Sequence, residues 1–308
     1  MSPVAISLLM LAAFAGFGYL AWRKLAIVAA LAPEDRFDHP GRRLRAVLTN
    51  GLLQRRMIQR DWKPGVMHAV IFLGFMALLV RKVQLIVIGY HEPFVYPGLA
   101  GGAFAVAKDV VELALLVALA YAFWRRYVTR PARLEPNREA LLVLSLITAI
   151  VITDLAFDGF RFALFAGSDP GIAHERAWAF AGRVVERAVS GLGPATLTAG
   201  YHASYWIQLV VVFTFLVILP TGEHFHIVTA LPALYFRRGR PANRVPSVDL
   251  EKLMSDDADA ASVTVGVRTA RDLTWKEGLD AFTCTECGRC KDACPTFLTG
   301  KPLSQKWV

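Results

Sequence analysis

The sequence is poor in charge and nearly free of cysteine. Charged side chains make up 19% of its 308 residues, below the roughly 25% of an average soluble protein. Hydrophobic residues make up 55%, so the composition points to a membrane protein. All four cysteines fall between Cys284 and Cys294. That clustering excludes a disulfide framework spread over the chain and points to a metal or cluster site. The sequence has no Gly-rich phosphate loop, no internal repeat and no Lys/Arg stripe interleaved with aromatics. The net charge of +9 therefore does not read as a nucleic-acid surface, because the basic residues sit in short segments between apolar runs. No basic residue precedes the first apolar run, whereas a cleaved signal peptide would carry a positive n-region and a small-residue cleavage site. Residues 4–22 therefore read as a retained helix.

What is present is a set of long apolar runs. A membrane-spanning helix needs about 20 mostly apolar residues, and five stretches qualify: Val4 to Ala30, Val66 to Tyr90, Gly102 to Trp124, Glu139 to Phe165, and Tyr201 to Leu231 with a kink expected at Pro220. The predicted fold class is an all-α membrane protein, a five-transmembrane-helix bundle followed by a small, mainly helical ferredoxin-type segment. Lys and Arg crowd the segments between runs one and two, between three and four, and after five. The alternate segments are poorer in them. By the positive-inside rule the N-terminus lies outside and the C-terminal segment in the cytoplasm, as expected for a bacterial inner-membrane protein. Residues 173–190 and 36–62 read as amphipathic segments on the outer and inner surfaces. Residues 239–262 read as a linker and residues 263–267 as a short strand. The domain division is 1–236 for the membrane domain, 237–270 for the linker and 271–308 for the cysteine-bearing segment.

The cysteine run is Cys284-Thr-Glu-Cys287-Gly-Arg-Cys290-Lys-Asp-Ala-Cys294-Pro295. This is C-x2-C-x2-C-x3-C-P, the ferredoxin-type spacing for [4Fe–4S] ligation. Gly288 lets the backbone turn its amides toward the sulfurs. Structural zinc is the alternative, although zinc usually takes two separated ligand pairs. In such motifs the fourth cysteine usually serves a second cluster. Cys294 therefore implies a truncated longer protein, a partner chain, or a lone cluster that it closes itself. Truncation is the expectation.

Histidines mark the second candidate site. His68 lies at the inner start of run two, and His224 and His226 lie near the inner end of run five. Two neutral imidazoles on facing helices are what a low-spin haem b needs, and interfacial histidines are the alternative. His91 and His202 form a further pair near the outer ends, roughly 34 Å away at 1.5 Å per residue, for a possible second haem. Arg81, near the middle of run two, would pair with a haem propionate or with a buried acid such as Asp109, Glu112, Asp154 or Asp158.

These residues carry a resemblance. Through Tyr205-Trp206 and Pro220-Thr-Gly-Glu-His224-Phe-His226, the helical portion resembles the nitrate reductase gamma-subunit-like haem domain. Through Asp272-Leu-Thr-Trp275-Lys-Glu-Gly-Leu-Asp280 running into the cysteines, and Thr299-Gly-Lys-Pro-Leu-Ser304, the whole resembles the heterodisulfide-reductase-related membrane iron–sulfur oxidoreductases. The resemblance implies haem ligation by His68 and His226, with His226 favoured over His224. It also implies that Leu78 and Gln208 stand where the family's second haem takes histidines, so that haem is absent or re-ligated, with His202 the nearest substitute. Some members of that group pass electrons between electron-transfer flavoprotein and menaquinone. The function implied is electron transfer between a cytoplasmic redox partner and menaquinone or ubiquinone through an iron–sulfur cluster and haem b. The rival is a non-catalytic membrane anchor that docks soluble redox proteins.

Overall fold

The computed structural model describes residues 1–134, 137–239, 267 and 269–301. The linker core, the predicted strand over 263–267 (except Val267) and the end of the Thr299–Ser304 motif lie outside the described residues. Among the described residues there are helices and no strand; an isolated parallel bridge joins Ala32 to Thr274. The chain divides into two units: residues 1–17, 54–218 and 286–308, and residues 18–53 and 219–285.

In the first unit lie the beginning of α1 (Pro3–Ala29), α3 (Arg55–Arg60), α4 (Trp62–Tyr90), α5 (Gly98–Trp124), α6 (Arg138–Phe165), α7 (Pro170–Trp178), α8 (Phe180–Val189) and α9 (Pro194–Ile218). Between α1 and α3, in the second unit, runs α2 (Pro40–Ala46). Four of these helices, α1, α4, α6 and α9, are long and apolar enough to cross a membrane. The fifth expected span, α5, is equally long but carries Lys108, Asp109 and Glu112 on buried positions. Apolar side chains cover the outside, with Leu11 68% and Val117 71% exposed, as suits helices solvated by hydrocarbon rather than water.

The helix ends follow local chemistry. Asn137 Oδ1 accepts the Glu139 amide at 2.8 Å to start α6, and Asp169 accepts the Gly171 and Ile172 amides at 2.8 and 3.0 Å to start α7. The expected helix over 201–231 starts earlier and is cut in two. α9 stops at Ile218, a 3-10 turn covers Glu223–Phe225, and α10 resumes at His226–Tyr235, because Pro220 lacks an N–H and disfavours helix at the residue before it. The amphipathic segment expected at 173–190 is two helices broken at Ala179 (ψ 87). The buried Asp109 carboxylate accepts the Ala181 amide at 2.5 Å and so caps α8 from another helix. The segment 36–62 likewise breaks, at Gln54, whose φ is 51.

The apolar core of this unit is built from Ile6, Leu85, Ile88, Phe157, Tyr201, Tyr205, Leu209 and Phe213. Leu78, Leu115 and Val151 form a second cluster, where Gly74 admits the Leu115 side chain. Through the same bundle runs an ionic network. Arg81 donates from Nε to Asp154 at 2.9 Å, from Nη1 to Gln84 at 2.6 Å, and pairs through Nη2 with Asp158. Lys82 reaches Asp154 at 2.7 Å. Lys108 reaches Asp109 at 2.7 Å and both Glu112 and Asp158 at 2.9 Å. Gln84 bonds Glu175 at 2.8 Å, and Glu175 takes Arg161 at 2.8 Å.

The second unit is held by Val28 of α1, Ala233 of α10 and Leu279 of α11 (Trp275–Phe282), with Trp275 and Phe282 packed against them. Arg43 ties α2 to the end of α10 by donating to the Tyr235 and Arg237 carbonyls, both at 2.9 Å.

Replacing Arg81 with Met should destabilise the protein by about 3–5 kcal/mol, since it strips two buried carboxylates of their shared guanidinium. Arg81→Lys should recover only part of the loss, because an ammonium cannot fork to Asp154, Gln84 and Asp158 together. Denaturant unfolding of purified protein in detergent measures both.

Candidate functional site

Each part of the cysteine run is positioned by its neighbours. α11 begins with a capping box: the Glu277 amide donates to Thr274 Oγ1 at 3.3 Å, and the Thr274 amide donates to the Glu277 carboxylate at 2.9 Å. Trp275 Nε1 donates to the Glu34 carbonyl at 2.8 Å, and the backbone pairs Ala32 with Leu273 and Trp275 at 3.0 Å. At the other end Thr283 Oγ1 lies 2.9 Å from Thr229 Oγ1 of α10. Cys284 follows directly, its amide on the Ala281 carbonyl at 3.2 Å. The Thr274-x-x-Glu277 spacing was there in the sequence as a helix-start signal; the docking of Trp275 was not.

In the first unit, Cys287 lies between two left-handed residues, Glu286 (φ 47) and Gly288 (φ 71). The short helices α12 (Arg289–Asp292) and α13 (Pro295–Leu298) carry Cys290 and start from Cys294, respectively. Arg133, in the loop between α5 and α6, donates to Asp292 at 3.0 Å and pairs with Asp61. Its carbonyl sits where a Cβ on Gly288 would be. Arg289 lies 2.9 Å from the Met57 sulfur. Cys284, Cys287 and Cys290 are exposed and Cys294 is buried; none is in a disulfide. Cys294 Sγ is 2.8 Å from Thr296 Oγ1. That hydroxyl, with the Phe297 amide behind it, holds the Cys294 thiol below the ordinary thiol range, which favours the thiolate that binds iron.

Among the described residues no three His, Cys, Asp or Glu side chains gather into a metal-holding group. The donor chemistry nevertheless suits an iron–sulfur cluster: four reduced thiols at the ferredoxin spacing, with Gly288 and Glu286 turning the loop. Binding would draw the thiolates together, as metal binding commonly orders its own site.

The histidines differ in setting. His226 opens α10 half-buried, its Nδ1 2.7 Å from the Glu223 carbonyl. Only the nitrogen can donate there, so Nδ1 carries the proton and Nε2 keeps its lone pair, the orientation a metal-binding imidazole needs. His224 lies beside it, ring centroids 6.0 Å apart. His68 occupies the second turn of α4, also half-buried. His68 belongs to the first unit, His224 and His226 to the second. His202 is exposed on α9 with its ring against Tyr201, and His91 is exposed at the end of α4. Leu78 is buried in the Leu115–Val151 cluster and Gln208 is buried on α9. For Arg81 the structure realises the interhelical ion pair: each of its three nitrogens meets a protein acceptor. Sequence reasoning missed Gln84 and Glu175, which extend that network. Glu175 sits on a short surface-type helix whose burial no periodicity revealed.

The chain is similar to iron–sulfur oxidoreductases. It is 28% identical over 298 residues to the probable iron–sulfur-binding oxidoreductase FadF of Bacillus subtilis, covering 94% of this chain and 39% of that protein. It is 26% identical over 298 residues to the EtfAB:quinone oxidoreductase of Syntrophomonas wolfei, covering 94% and 40%. Over 60 residues, 20% of this chain and 8% of the relative, it is 43% identical to a probable membrane-anchored ferredoxin of Chromohalobacter salexigens. The chain thus spans about two fifths of the length of the first two relatives. No protein-family model and no solved structure matches it.

Gly288→Ala should lower the iron and acid-labile sulfide recovered per chain after anaerobic reconstitution, because its φ of 71 and the Arg133 carbonyl leave no place for a Cβ. Gly18→Ala, with open space around it, should leave both counts at wild-type level.

Proposed function

We propose that this chain is the membrane-embedded electron-transfer part of an iron–sulfur oxidoreductase, exchanging electrons between a soluble redox partner and a quinone. The observation that carries the reading is the ferredoxin-spaced run Cys284–Cys294 on a chain otherwise built of lipid-compatible helices. Two relatives matched over 94% of this chain support it. One is named for iron–sulfur binding, and the other for electron-transfer flavoprotein and quinone.

The donor set assigned to a [4Fe–4S] cluster is Cys284, Cys287, Cys290 and Cys294. The pair assigned to haem b is His68 and His226. Such groups, when bound, accept and release single electrons. The protein's own work is positional. α11 and its Thr274–Glu277 box set where the run begins, and Arg133 and Gly288 set how it turns. Thr296 biases Cys294 toward thiolate, and the Glu223 carbonyl holds His226 with Nε2 available. The basic segments Arg36–Lys63 and Arg125–Arg138 put the cysteine run on the cytoplasmic side of a bacterial inner membrane, with the N-terminus outside. α5 serves as the fifth span, its charges shielded by the bundle. A cytoplasmic electron-transfer flavoprotein is the favoured partner and menaquinone or ubiquinone the lipid-side one.

The alternative, a membrane anchor presenting an iron–sulfur segment without haem chemistry, draws on the similarity over 60 residues to a membrane-anchored ferredoxin. A pyridine haemochrome assay separates the two. The electron-transfer reading expects about one haem b per chain, and loss of the reduced-minus-oxidised b-type spectrum in His68→Ala and His226→Ala. Cluster-loaded protein with no haem would leave only the anchor.

A further inference from the structure

Beside the cysteine run, within the first unit, is a cavity of about 160 Å³ lined by Arg60 of α3, Asp61, Arg133, and Arg289, Asp292 and Ala293. A single water needs roughly 10–15 Å³, so the space admits a polyatomic group. Its charges do not balance: three guanidiniums face two carboxylates. Arg133 serves both acids, donating to Asp292 at 3.0 Å and pairing with Asp61. Neither Arg60 nor Arg289 meets a carboxylate among the described residues. Arg289 has only the Met57 sulfur, at 2.9 Å, a weak and uncharged acceptor. Arg125, just past α5, shows the same surplus. Burial, then the neighbouring cations Arg133 and Arg289, hold its guanidinium below the ordinary range against the pull of Asp61. The depth of the cavity is marked as well. α4 begins at Trp62 and its neighbour α5 ends at Trp124, 65% and 51% exposed at the same end of the bundle, the placement of tryptophans at a lipid headgroup layer.

We infer that this cavity seats the phosphate of an anionic phospholipid headgroup, taken by Arg60 and Arg289. A guanidinium fork binds two phosphate oxygens at once, and basic pockets at the ends of membrane helices suit such headgroups. The lining has one positive charge in excess, and a phosphate diester carries one negative charge. Asp61 and Asp292 do not bar an anion, because both already lie on Arg133. Arg60 and Arg289 come from different elements, so a phosphate between them ties the turn bearing Cys287 and Cys290 to α3. Free phosphate has the same chemistry. Lipid is favoured as its source because the two tryptophans set the cavity at headgroup depth, where lipid is always present.

The test uses the purified full chain after anaerobic iron–sulfur reconstitution, in neutral detergent, with phosphatidylglycerol, phosphatidylcholine and inorganic phosphate as probes. Native mass spectrometry counts retained lipid, and a phosphatidylglycerol with a photoreactive headgroup maps the contact. The expected result is one phosphatidylglycerol held per chain in preference to phosphatidylcholine, with labelling confined to segments 57–62, 133 and 289–293. Affinity should fall about tenfold in Arg60→Gln and again in the double variant with Arg289→Gln. Arg130→Gln, which removes an exposed arginine outside the lining, should leave it unchanged and so separate a site from general attraction to basic charge. Wild-type mapping decides even if a variant fails to fold. Labelling elsewhere, equal retention of phosphatidylcholine, or undiminished affinity in a folded double variant overturns the site. Protection of the same segments by inorganic phosphate but not by phosphatidylglycerol overturns the lipid as its occupant.

Discussion

Charge buried inside a bundle whose outer surface is hydrocarbon has to be neutralised within the bundle, and the first unit is organised around that requirement. Four cations, Arg81, Lys82, Lys108 and Arg161, meet five carboxylates, Asp109, Glu112, Asp154, Asp158 and Glu175. Water at high dielectric would make each such pair nearly worthless; inside the bundle each ion depends on its partner. The consequence is positional. α4, α5, α6 and α7 cannot slide past one another without separating an ion from its counter-ion, and Asp109 further fixes where α8 begins. The three ionisable groups of α5, Lys108, Asp109 and Glu112, all turn inward.

Two polar side chains of that unit are placed differently. Arg133 stands on the α5–α6 loop, where its guanidinium and carbonyl receive the Gly288–Asp292 turn of the cysteine run. Gln208 is buried within the bundle on α9.

The second unit does separate work. Trp275, Leu279 and Phe282 bury one face of α11 against Val28 and Ala233, and the capping box fixes the first turn of that helix. Cys284 is thereby delivered at a defined point, two residues beyond a helix whose both ends are tied. The break at Pro220 has a comparable effect. It frees the Glu223 carbonyl from a continuous helix, and that carbonyl then sets the His226 tautomer.

The sequence by itself determined that the chain is helical, that its long helices are apolar, and how the four cysteines are spaced. These depend on local facts: runs of apolar residues long enough to span hydrocarbon, a proline that cannot continue a helix, and four cysteines at a spacing that needs no partner element to be recognised. It also located Arg81 and the acids around it, since ionisable residues inside apolar runs are conspicuous. Only the tertiary structure decided which acids Arg81 takes, that Gln84 and Glu175 join them, that the surface segment after α6 splits at Ala179, and that Gln208 is buried with its amide unmet. Each of those outcomes depends on groups from different helices meeting in space, and periodicity along one helix carries no information about what faces it from another.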